Sequence, residues 1–141
     1  MTMRTKWTLG TIIALSSIGF VDALYLTIKR FAASPVVCYV ASGCDKVAQS
    51  AYDAIGGIPM PALGALFYAA TVVVVIGAVR YRSQWLVRGA KLIAVIGGLF
   101  SLYLLGMQAF VIHAWCFYCI VSDTIGVINA LLVLYLLKRI K

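Results

Sequence analysis

Four apolar stretches, each long enough to cross a lipid bilayer, constrain this chain more than any other feature. They run over residues 7–28, 61–79, 90–112 and 116–137. A helix needs about 20 apolar residues to span the hydrocarbon core, and lipid offers no partner to an unpaired backbone group. Each stretch is therefore expected to be a membrane helix. A soluble helical bundle is excluded, because no stretch carries the charged stripe that a water-facing helix needs. Composition agrees: apolar residues make up 64% of the 141 and charged residues 11%. The mean hydropathy is +1.04. The expected fold is an all-α membrane protein: one domain over residues 1–141, a four-helix bundle with one sizeable loop at 34–60. The first stretch follows Arg4 and Lys6 as a signal peptide would. Its apolar run is longer than a signal core, and Pro35 follows the only small-residue cluster where cleavage would have to fall. It reads as a retained span.

The net charge of +8 does not indicate nucleic acid, because of where the charges lie. Nine of the twelve basic residues sit at the two termini and the middle connection; only Lys29, Arg30 and Lys46 lie on the other side. The positive-inside rule places both termini in the cytoplasm of a cell whose inner membrane holds the chain. The two remaining connections then face outward. All four cysteines lie at that outer face, in the compartment where disulfides persist. No repeat, linker or low-complexity tract is visible. Ala90, Ala94 and Gly98 recur every four residues in the third span, a seam of small residues that permits close helix packing.

Cys38 and Cys44 bracket a short turn containing Ser42 and Gly43, so a disulfide between them is sterically plausible. After them, Val47, Ala51 and Ile55 share one face of a short helix, started by Asp45 and ended by Gly56 and Gly57. That helix is expected to lie on the outer membrane surface as a lid. The second pair, Cys116-Phe-Tyr-Cys119, opens the fourth span. Residues three apart share a helix face. The unpartnered N–H groups of a first turn favour negative charge, and Cys-x-x-Cys thiols ionise well below the free value of about 8.5. The thiolate is the nucleophile of disulfide exchange. The short outer connection pins this pair at the membrane edge, within reach of a substrate dissolved in lipid. Two plainer readings stand beside this one: structural disulfides, or a four-thiolate zinc site. A five-residue gap fits zinc poorly, and an oxidising face disfavours free thiols.

These residues together resemble the vitamin K epoxide reductase family, most closely its bacterial and archaeal members, over nearly the whole chain. The resemblance rests on Gly19-Phe-Val-Asp-Ala-Leu-Tyr-Leu-Thr27, Cys38-x5-Cys44-Asp-Lys-Val, Ser50, Gly57-Ile-Pro59, Gly64-Ala-Leu-Phe-Tyr68 and Cys116-Phe-Tyr-Cys119, in that order. It implies a quinone pocket inside the bundle, with ubiquinone or menaquinone as acceptor and no metal. Cys119 would react with the quinone, Cys116 would exchange with the loop, and Cys38 and Cys44 would shuttle electrons from a thioredoxin-like extracytoplasmic partner. Because the chain ends at Lys141, that partner is expected to be a separate protein. Ser50, Phe67 and Tyr68 would line the pocket. Vertebrate members carry an Asn and a Tyr that bond the substrate's oxygens; Met60 and Asp123 stand at those positions, which favours an ordinary membrane quinone over the epoxide. Quinone-linked thiol oxidases of the DsbB type also have four spans, but with the two cysteine motifs in the opposite order. The contrasting class is a non-enzyme: a four-span scaffold or transport subunit stapled by disulfides.

Other polar residues invite weighing. Asp22 and Asp123 lie within spans, where a carboxyl is expensive. Quinone reduction consumes two protons that such a group could relay; a plain packing role fits Asp22 better. A charged Asp123 would oppose a thiolate beside it. His113 could donate a proton or bind a quinone carbonyl, against simple snorkelling at the interface. Phe117 could stack on a quinone ring, against core packing. Trp115 and Tyr118 suit the aromatic belt of the outer boundary, as Trp7 does the inner.

Overall fold

A computed structural model describes residues 2–32 and 54–140. Four long apolar helices dominate it: α1 (Met3–Phe31), α2 (Met60–Tyr81), α3 (Gln84–Gly106) and α4 (Phe117–Ile140). A six-residue π-helix, Met107–Ile112, continues α3 to the connection. All four are long and apolar enough to cross a membrane. Large apolar side chains on every helix are exposed, among them Val73, Leu92, Leu99 and Leu131. A surface of that kind is stable against lipid and not against water. The chain is a multi-pass membrane protein.

The helices run several residues past the apolar stretches that announce them. α1 begins at Met3, where Thr2 caps it by accepting the Thr5 N–H at 3.3 Å, and its last turn holds Lys29 and Arg30. Hydropathy marks the part of a helix inside hydrocarbon, whereas charged ends continue it into the headgroups. α2 opens with Pro61 in its first turn, where the missing N–H costs nothing. It closes at Arg82, whose φ of 50° turns the chain directly into α3. Hydroxyls inside the spans are satisfied locally: Thr27 donates to the Ala23 carbonyl at 2.7 Å and Thr71 to the Phe67 carbonyl at 2.8 Å.

The helices close into a ring in which α1 packs on α2 and α4, and α3 packs on the same two neighbours. The end that holds both termini is apolar, with Ile12, Val75, Ala78, Ala90, Ala94, Val133, Leu136 and Leu137 in its core. Ala90, Ala94 and Gly98 are all buried, as a close-packing seam requires. A Cβ on Gly98 would lie 2.8 Å from that of Ala130, so α3 and α4 touch backbone to backbone there. The opposite half is polar and aromatic. Asn129 donates to the Ser16 hydroxyl at 2.6 Å, joining α4 to α1.

The expected lid helix over residues 45–53 lies outside the described residues. Ile55, assigned to that helix by its spacing, is instead in a two-residue strand. Ala54–Ile55 (β1) pairs antiparallel with Ile58–Pro59 (β2). Gly56 and Gly57 have φ of 58° and 84°, the two left-handed residues of a tight hairpin, so here the glycines make a turn and not a helix stop.

The α3–α4 contact gives a stability test. Gly98→Leu should destabilise the detergent-solubilised protein by about 1–3 kcal/mol, the usual cost of overpacking. Gly10→Ala, where an added Cβ meets nothing within 4 Å, should leave the melting temperature unchanged.

Candidate active site

Tyr68 organises the polar half of the bundle. It projects from α2 across the ring, and its hydroxyl donates to the Ser122 carbonyl on α4. Its ring lies against Gly19 on α1, where any Cβ would overlap it, and its hydroxyl is 3.4 Å from where a Cβ on Gly126 would stand. Phe67 beside it occupies the space left by Gly97 on α3. The two rings meet edge to face with centroids 5.2 Å apart. Gly19 on α1 and Gly97 on α3 thus admit one aromatic pair to the centre, while Gly126 on α4 makes room for Ser101 of α3.

The Cys-x-x-Cys sits at the start of α4, as the sequence predicts. Cys116 and Cys119 are free thiols. Cys116 is 1% exposed, packed with Leu26, Tyr25 and Tyr118, while Cys119 is half-buried. The Cys119 N–H donates to the Cys116 sulfur at 3.3 Å. Cys116 therefore occupies the capping position of the helix, where its sulfur satisfies a first-turn N–H.

A residue that sequence reasoning passed over completes the site. Gln108, in the π-helix, is 3% exposed. Its Oε1 accepts the Cys116 N–H at 3.1 Å, and its Nε2 donates to Asp123 Oδ2 at 3.4 Å. In the sequence it is one polar residue within an apolar run. The available signal was the cost of an amide in hydrocarbon, which implies a partner.

The remaining expected residues fall into three groups. Tyr68, Asp123 and Phe67 are brought to the bundle interior. Met60 is half-buried at the first position of α2. His113 and Phe117 are exposed, His113 with a left-handed φ of 54° and Phe117 edge-on to Tyr118. Cys38, Cys44 and Ser50 lie outside the described residues. Asp22 has one carboxylate oxygen buried with no hydrogen-bond partner among the described residues. Among those residues no three His, Cys, Asp or Glu side chains form a group able to hold a metal ion.

The capping contact has a measurable consequence. Cys116→Ala removes the acceptor of the Cys119 N–H and should destabilise the reduced protein by about 1 kcal/mol, the usual cost of losing a helix cap, read as a lower melting temperature in detergent.

No individual curated protein matches the chain. A family profile does, and it covers residues 11–135, from the first span to the last, with the dithiol and the Tyr68 cluster inside it. The chain belongs to the Vitamin K epoxide reductase family and, as a member of it, is a membrane oxidoreductase.

Proposed function

We propose that the protein oxidises the thiols of a thioredoxin-like partner outside the cytoplasm and passes the electrons to a membrane quinone of the ubiquinone or menaquinone kind. The observation that carries this reading is the burial of Cys116. At 1% exposure, its sulfur is closed to direct attack by an external protein, so exchange with it requires a thiol of the same chain. Cys38 and Cys44 are the remaining cysteines of the sequence and fill that role.

The partner's dithiol reduces a Cys38–Cys44 disulfide and leaves as a disulfide. Cys44 then attacks the Cys116–Cys119 bridge at Cys116, forming a Cys44–Cys116 link and releasing Cys119 as thiolate. Cys38 attacks Cys44, restoring the Cys38–Cys44 disulfide and freeing Cys116. The Cys116/Cys119 dithiol now holds two electrons and two protons more than its disulfide, which equals the demand of quinone reduction to quinol. Cys119, half-buried and one turn before Asp123, is the thiol that meets the quinone. The basic residues at both termini and at the Arg82 turn hold those ends in the cytoplasm, with the dithiol at the opposite face of the inner membrane.

The decisive assay is dithiothreitol-driven reduction of ubiquinone and menaquinone analogues by the purified protein in detergent. Wild type should turn over, and Cys119→Ser should lose at least about a hundredfold of the rate. Cys38→Ala should keep that activity while losing oxidation of protein thiols. Folded wild type that reduces neither quinone would instead favour a scaffold stapled by disulfides.

A further inference from the structure

Gln108 is placed as no packing residue needs to be. It lies eight residues before Cys116, inside the only π-helical turn among the described residues. Its backbone carbonyl accepts the N–H of His113 and that of Ala114, the latter at 3.3 Å, closing the turn that leads to the dithiol. Its side chain then reaches two points of α4, the Cys116 N–H and the Asp123 carboxyl. Cys116, Cys119 and Asp123 are spaced by three and four residues, so they form one stripe on the helix. Gln108 spans that stripe from end to end, with the Cys119 position between its two contacts. A π-turn inserts one residue into a helix and re-aims the side chains beyond it, and such turns concentrate at functional sites.

The chemistry of the amide fixes its direction. A backbone N–H can only donate, so the oxygen of Gln108 must face Cys116. Its NH2 group, which can only donate, must then face Asp123. Oδ2 of Asp123 is thereby held as an acceptor, and any proton on this carboxyl sits on Oδ1. We propose that Gln108 is a positioning residue of the dithiol–quinone reaction: it seats the Cys116 end of α4 and aims Asp123 so that one defined oxygen carries a proton between dithiol and quinone. This role rests on the reading of Cys116 and Cys119 as the quinone-reducing pair. The proton count closes without another reactant, since the dithiol releases two protons and the quinone takes up two.

The test uses the full-length protein in detergent with dithiothreitol and a ubiquinone analogue, comparing Gln108→Leu, Gln108→Glu, Asp123→Asn and the Gln108→Leu/Asp123→Asn pair. Gln108→Glu is close to isosteric and keeps an acceptor for the Cys116 N–H, but it removes the donor to Asp123. Both Gln108 variants should lose about tenfold or more in kcat, with KM for the quinone within about twofold of wild type, the pattern of an interaction that acts at the chemical step. Asp123→Asn should lose a similar factor. In the double variant the losses should not multiply, because both substitutions cut one chain of contacts. A folded Gln108→Glu protein with wild-type kcat would overturn the proposal. So would losses confined to KM, losses that multiply, or an Asp123→Asn protein of wild-type rate. Failure of wild type itself to reduce quinone would be distinguishable from all of these; it would remove the redox reading and this role together.

Discussion

The structure depends on one constraint: a polar group inside a bilayer is costly unless it finds a partner within the protein. The bundle meets this by dividing itself along its length. The half that holds the termini has a core of apolar and small side chains, and close backbone approach supplies its cohesion. The other half gathers Tyr68, Ser122, Gln108, Asp123, Ser16 and Asn129 into contacts that join α1, α2 and α4 and the π-helical end of α3. Every one of these residues would be costly in lipid alone. Together they fix the register of the four helices and build the site.

That site treats two similar cysteines differently. Cys116 caps α4, is buried, and receives the Cys119 N–H; Cys119, three residues on, lies inside the helix and is half-buried. A thiolate is favoured at the helix start because the unpaired N–H groups there point at it. The difference between the thiols is thus a property of where the helix begins. At that start Gln108 accepts the Cys116 N–H and so joins the end of the preceding helix to it. Asp123 enters the same arrangement from one turn further along, through the Nε2 of Gln108.

Much of this is legible in the residues alone. The four spans follow from runs of about twenty apolar residues, and nothing but a helix can satisfy them in lipid. The Cys-x-x-Cys at a helix start follows from its position at the head of the last run. The importance of Tyr68 and Phe67 came only by resemblance, because an aromatic pair in an apolar helix has no signature of its own. Of the expected lid helix only its last residue, Ile55, is among the described residues, and there a Gly-Gly pair that forms a hairpin turn places it in a strand. Short apolar spacings are weak against turn chemistry, since two left-handed glycines fix the chain's direction outright.

The sequence by itself determined that the chain lives in a membrane, how many times it crosses, and that a Cys-x-x-Cys opens its last span. These are consequences of local composition, which each segment carries wherever it is placed. Only the tertiary structure decided that Gly19 and Gly97 make room for one aromatic pair, that Cys116 and not Cys119 is the capping sulfur, and that Gln108 joins the dithiol to Asp123. Those facts depend on the rotation of each helix about its axis. Rotation is set by packing against neighbouring helices and by a π-turn, and residues far apart in sequence share in both.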